Sequence, residues 1–197
     1  RNSQWAFERL TSNAVPIIAD FKSRNPVDLF LEKQRRSIGA RPNLRAGRRT
    51  ILRRMSIDLT GLPPDIDEIN RFDKDVSPDA VEHLAERLLS SPAYGERWAR
   101  HWLDGARYAD SNGFEGDEDR PTAYHYRDWV IRALNADMPY SRFAQLQIAG
   151  DEISPDNPDA HIATGFLACA NFLIAETRQE TEQRRYRYDE LDDMLVS

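Results

Sequence analysis

The sequence predicts an all-α fold, an irregular multi-helix domain with an extended N-terminal segment and a long, polar, acidic loop. Three observations carry that expectation. Apolar residues recur at spacings of three and four in most segments. Asn-Pro or Ser-Pro pairs open several of them, and Gly or Pro closes them. No segment alternates apolar and polar residues between hairpin turns, and no repeat of 20–50 residues is present.

Residues 1–24 scatter Trp5, Phe7, Val15, Ile17, Ile18 and Phe21 without a sustained period, as in an extended segment lying across a domain. Asn25-Pro26 then supplies a capping side chain and a proline at the first helical position. The helix it opens turns Val27, Phe30 and Leu31 inward and stops near Gly39. A second helix is expected over 44–58, with Leu44, Ile51, Leu52 and Met55 on one side. Thr60-Gly61 ends it, and Leu62-Pro63-Pro64 forbids continuation. Short helices follow at 65–73 and 78–90, the latter burying Val81, Leu84, Ala85, Leu88 and Leu89 and leaving His83 exposed. Ser91-Pro92 starts a helix running over 93–109. Further helices are expected at 122–136, 140–150, 159–173 and 183–197.

The 197 residues suit one domain (25–197) with its N-terminal segment docked on it. An apolar content of 40% and an aromatic content of 10% supply a core. The net charge of -6 excludes general nucleic-acid binding, which needs a basic surface. No apolar run approaches the ~20 residues needed to span a bilayer, so no transmembrane segment is expected. Arg1 at the start, and the helical face Leu191, Met194, Leu195 at the end, point to a piece of a longer protein truncated at its C-terminus. The single cysteine, Cys169, excludes an internal disulfide and any four-cysteine metal site. Its apolar neighbours mark it as a buried structural thiol.

Candidate function gathers between Tyr94 and Trp129, which hold three of the four tryptophans and four of the seven tyrosines. On a helix over 93–109, Trp98, Trp102, Gly105 and Ala109 share a face, with Gly105 admitting another backbone. Arg97, His101, Asp104 and Tyr108 share the adjacent strip. His101 and Asp104 stand at i, i+3, where a carboxylate can set an imidazole tautomer for proton transfer or metal binding. Both are candidate catalytic residues, with Asp110. The plainer reading, and the favoured one, is a polar network that fixes helix to loop.

The loop from Asp110 to Asp119 carries five acids in ten residues. It fails as an EF-hand, because Glu115 stands where glycine is required and Pro121 where a glutamate should close the site. An irregular calcium site on Asp110, Asn112, Glu115, Asp117 and Asp119 is the remaining metal reading. Otherwise the loop is solvated, its charge offset by Arg107, Arg120 and Arg127. The aromatics suggest a binding surface of Arg97, Trp98, Trp102, Arg107, Tyr108, Tyr124 and Tyr126 for a sugar or a cofactor, with core packing as the plainer explanation.

Eight arginines between 35 and 54 suit either an anion site or a solvated face. The mixed-charge run from Glu176 to Asp193 reads as an exposed helix laced with ion pairs. No P-loop, dinucleotide fingerprint, G-x-S-x-G, H-E-x-x-H or C-x-x-C-H motif occurs.

The phrases RRTILRRMSIDLTGLPPDIDEI, LLSSPAYGERWARHWLDGARYADSNGFE, YRDWVIRALNADMPYSRFAQLQIAGD and ETRQETEQRRYRYDELDDML resemble the extracytoplasmic, cytochrome c-associated domain of unknown function abundant in Planctomycetes. The likeness runs from about Asn25 to the last residue. Its phrases match at Arg97, Trp98, His101, Trp102, Asp104, Arg107, Tyr108, Asp110, Asn112 and Gly113. The resemblance implies a periplasmic or secreted location and other domains of the same parent protein as partners, among them a haem-bearing segment. It also implies haem c in that parent but no cofactor on this chain, which lacks the attachment motif. Support of electron transfer at the cell envelope is the first functional expectation. A polysaccharide-binding or polysaccharide-degrading module, with Asp104, Asp110 and Glu115 as carboxylates, is the second. A purely structural interaction domain is the third.

Overall fold

A computed structural model describes residues 12–113 and 117–169, together with positions 184, 185 and 188. The protein is all-α, and among the described residues no strand forms. Among the described residues of 12–169 the α-helices are, in order, α1 (Pro26–Ser37), α2 (Arg48–Thr60), α3 (Ile66–Lys74), α4 (Ala80–Leu89), α5 (Pro92–Gly105), α6 (Tyr124–Asn135), α7 (Tyr140–Ile153) and α8 (Pro158–Ala163). A 3₁₀ turn, Thr164–Ala168, continues from α8. The expected helix at 183–197 and the charged run from Glu176 fall largely outside the described residues, as does the segment 1–11.

The chain divides into two compact units, Arg1–Ala46 and Gly47–Ser197, so the boundary expected after residue 24 falls within the first unit. In that unit residues 12–25 carry no helix. Asn25 caps α1 as expected, accepting from the Val27 amide at 2.9 Å. The expected inner face of α1 is corrected, because Val27, Phe30 and Leu31 are all exposed. The buried residue is instead Glu32, whose carboxylate accepts from Arg35 and from Arg36 Nε. Arg36 also grips Asp20 at 2.9 Å, fastening the preceding segment to the helix.

The second unit holds two apolar clusters. Leu52, Phe72, Ala80, Leu84 and Leu88 join α2, α3 and α4. Complete burial of Phe72 contributes about 1.5–3 kcal/mol by the hydrophobic effect. Arg48 covers that ring, its guanidinium carbon 4.2 Å from the centroid, and donates to the backbone carbonyls of Phe72 and Asp75. The helix starts three residues after Arg45, so the expected start at 44 is corrected; Leu44 is 98% exposed and lies outside it. Gly61, in the left-handed region at φ 72°, ends α2 where expected.

The larger cluster joins α5, α6, α7, α8 and the 3₁₀ turn. The side of α5 that enters it is Gly95, Ala99 and Leu103, followed by Ala106. Small residues let α6 come close. A Cβ on Gly95 would lie 2.5 Å from the Asn135 side chain, which accepts from the Gly95 amide and donates to the Pro92 carbonyl. The expected inner face is thus displaced. Trp98 is 41% exposed, Ala109 is exposed, and no atom outside α5 approaches Gly105. The close backbone approach occurs elsewhere, at Gly150, where a Cβ would meet the Ala160 carbonyl oxygen at 2.2 Å.

Candidate functional site

The helix that carries the central residues stops four residues earlier than its periodicity suggests. Arg107 adopts a left-handed φ of 56°. Its amide donates to the Asp104 carbonyl at 3.2 Å and the Tyr108 amide donates to Leu103 at 2.9 Å, the paired bonds of a Schellman cap. Tyr108 is therefore in the loop and not on the strip with His101 and Asp104. Those two are exposed and form no hydrogen bond with each other; the His101 ring packs on Trp98 with centroids 5.4 Å apart. Arg97 lies across Gly61, its Cδ 2.8 Å from where a Cβ would stand.

Trp102 points the other way, into the core. Its Nε1 donates to both Tyr126 Oη at 3.0 Å and Gln147 Oε1 at 2.9 Å, and Tyr126 donates to the same Gln147 oxygen at 2.6 Å. Gln147 Nε2 donates to the Phe143 carbonyl at 3.1 Å. Every polar atom of the glutamine is thus used, as a buried amide requires. Burial pushes the Tyr126 hydroxyl well above the ordinary tyrosine range, so it stays a donor. Rings continue the packing: Trp129 stacks on Phe143 with centroids 5.2 Å apart, and Trp102 meets Phe143 edge-on at 4.9 Å. Of the aromatics expected to form a binding surface, Trp102 and Tyr126 are therefore spent on the interior. Trp98 and Tyr124 stay open to solvent.

The acidic loop is organised at its neck. The Asn112 amide donates to the Glu118 carbonyl at 2.8 Å and the Arg120 amide to the Asp110 carbonyl at 2.7 Å, around an isolated bridge between Ser111 and Asp119. Three of the loop's side chains accept hydrogen bonds within the protein. Tyr108 donates to Asp110 at 2.5 Å, Arg120 to Asn112 Oδ1 at 2.6 Å, and the Gly113 amide to Asp117 at 3.1 Å. Glu115 lies outside the described residues. Among the described residues no group of three or more acids, histidines or cysteines is placed to hold a metal.

Between this neck, the start of α6 and the segment 158–169 opens a cleft of about 500 Å³. Tyr108, Tyr126 and Ile162 form walls, and Asn112, His125 and His161 stand around them. Arg120 braces the opening by donating to the Ala168 carbonyl at 3.2 Å. His161 is held by the Pro155 carbonyl at 2.6 Å, and the exposed Tyr124 ring packs on His125 with centroids 4.1 Å apart. Gly165 sits under Tyr126, where a Cβ would fall 2.9 Å from the tyrosine Cβ. That approach accompanies the tightening of the expected 159–173 helix into a 3₁₀ turn after Ala163.

Cys169 lines the cleft as a buried thiol pushed up by burial to about 11, consistent with a structural role. Covalent haem attachment needs two cysteines and a following histidine, so the residues present do not fit that group. His161, Gly165 and Gln147 were not singled out by the sequence. A glutamine inside the apolar run Leu146–Gly150 was the one available signal.

The arginines of residues 35–54 are divided between the two units. Arg35 and Arg36 serve Glu32, Arg48 covers Phe72, and Arg49 pairs with Asp73 at 3.2 Å.

Fold and site together define an all-α module whose aromatic core is wired by hydrogen bonds and whose loop neck borders an open cleft. The chain belongs to the PSCyt2 family, described as a protein of unknown function (DUF1549), whose model matches residues 26–197. No curated protein and no solved structure matches it.

Proposed function

We propose that this chain is a haem-free helical module of an extracytoplasmic, c-type cytochrome-associated protein, and that it supports electron transfer by docking a haem-bearing segment of the same protein. The cleft between the loop neck and residues 158–169 carries the reading. It is concave, walled by tyrosine and aliphatic carbon, and edged by polar groups, which is the character of a site that receives another surface. The family name, with its reference to cytochromes, agrees with it. No helix of the described residues is long and apolar enough to cross a membrane.

The test compares the parent protein, purified from its own host, with the 197-residue chain alone. A c-type haem absorption band is expected in the parent. Amide exchange over 108–126 and 158–168 should be slower there than in the isolated chain. A colourless parent, or equal exchange in both, would overturn the docking role.

One observation favours a second reading, a polysaccharide-binding module. The Tyr124 and His125 rings stand packed together at the cleft edge with Tyr124 exposed, as a sugar-stacking platform does. Retention of the chain by insoluble polysaccharide, lost in Tyr124→Ala, would favour it. No retention would remove it. For hydrolysis, Asp104→Asn and Asp110→Asn must each abolish activity.

A further inference from the structure

The first compact unit presents an exposed apolar stripe. On α1, Val27, Phe30, Leu31 and the C-cap residue Ile38 stand at i, i+3, i+4 and i+11, on one side of the helix, with Gln34 interrupting them. Val27, Leu31 and Ile38 are 64%, 63% and 69% exposed, and Phe30 is 41% exposed. The other side of α1 is the one that the unit uses for itself. Glu32 is buried there, held by Arg35 and Arg36, and Arg36 reaches back to Asp20.

Positive charge surrounds this stripe. Residues 12–46 hold seven lysines and arginines against three acids, in a chain whose net charge is -6. Asp20 and Glu32 are already engaged by arginines, and Asp28 accepts from Ser23 at 2.5 Å. Lys33 and Arg35 stand at the two borders of the stripe, each about a quarter turn from its centre. Lys22 and Arg24 precede the helix, and Arg41 and Arg45 follow it. Side chains of this kind lay their carbon stems along an apolar surface and keep their charge in water. At 12 residues, about 18 Å, α1 is too short to cross a bilayer but long enough to lie in its surface. A convex stripe bordered by cations matches a fluid anionic surface, which needs charge and apolar depth but no complementary groove.

We propose that α1 docks the first unit on an anionic lipid surface, with Val27, Phe30, Leu31 and Ile38 turned into the interface and the flanking lysines and arginines toward the headgroups. The inference is independent of the docking role of the cleft.

Flotation of the 197-residue chain with lipid vesicles tests it, using phosphatidylcholine alone or with about one quarter phosphatidylglycerol. The chain is expected to float with the anionic vesicles and to stay behind with phosphatidylcholine alone. Raising the salt to about 0.5 M should release most of it. Leu31→Ser should weaken partition about tenfold and Lys33→Gln about fivefold. Both positions are exposed, so neither change disturbs a core. Failure of the unaltered chain to float with the anionic vesicles would overturn the proposal, as would equal flotation with both kinds. Undiminished partition in Leu31→Ser would take α1 out of the contact and overturn it too. A dimer that Leu31→Ser dissociates, with no vesicle binding, would assign the stripe to a second copy of the chain instead.

Discussion

Trp102 on α5 and Gln147 on α7, 45 residues apart, are joined by a 2.9 Å hydrogen bond from the indole N–H to the amide oxygen. The same oxygen takes the Tyr126 hydroxyl from α6, so one atom ties three helices. Replacing Gln147 by leucine keeps the volume roughly constant and removes the acceptor. The Trp102 N–H loses one of its two acceptors, and the Tyr126 hydroxyl keeps no acceptor in the network. Gln147→Leu should therefore lower stability by about 1–3 kcal/mol, read as a lower urea midpoint with an unchanged slope.

Gly150 makes a stricter demand. Its added Cβ would strike backbone, the Ala160 carbonyl, and no side-chain rotation relieves that contact. Gly150→Ala should cost at least about 1–3 kcal/mol through overpacking. The same change at Gly105, where nothing lies near, should be neutral or stabilising. Thermal melts of the two variants give the comparison directly.

A third expectation concerns pH. His83 Nδ1 sits 2.9 Å from Asp75, whose hydrogen bond raises the imidazole above its ordinary value. Ser77, and then His83, hold the Asp75 carboxyl well below the usual carboxylate range. A raised imidazole contributes stability that is complete below its unfolded value, about 6.5, and fades as pH climbs through the folded value. A depressed carboxyl contributes above its unfolded value, about 3.9, and fades as pH falls. The pair should thus help most between roughly pH 4 and 6.5. Urea midpoints measured from pH 5 to 8 should decline more in the unaltered chain than in His83→Gln.

Asp137 holds a left-handed φ of 48° at the end of α6, with its amide on Leu134 and that of Met138 on Ala133. Left-handed backbone costs an L residue roughly 1–2 kcal/mol, against about 0.5–1 kcal/mol for the extra freedom of glycine. Asp137→Gly should therefore stabilise the protein by a few tenths to about 1 kcal/mol. A rise in melting temperature checks it.

These examples show which features a sequence can carry. Asn25-Pro26, Gly61 and Ser91-Pro92 mark helix ends through local chemistry, and the structure places ends there. The ends at Arg107 and Asp137 use the same cap without glycine, so their residues give no sign of it. The inner side of α5 differs from the expected one for another reason. Trp98, Trp102, Gly105 and Gly95, Ala99, Leu103 are both helical periods, and hydrophobicity favours the bulkier one. Close packing against α6 favours the smaller, a choice fixed by a partner remote in sequence. Composition marks the stretch from Tyr94 to Trp129 as rich in aromatics, but it does not say which of them turn inward. Trp102 and Tyr126 hold the interior together, and the cleft beside them takes its far wall from 158–169, where only burial and contact reveal it.

The touch between Gly150 and the Ala160 carbonyl spans only ten residues of chain. Closing so short a loop costs little entropy, whereas docking α2 on α5 must bring together segments some forty residues apart. The corner made by α7, α8 and the 3₁₀ turn is thus suited to form early during folding and to offer α5 and α6 a preformed surface. A bulky residue at position 150 would in that case slow folding as well as weaken the finished protein.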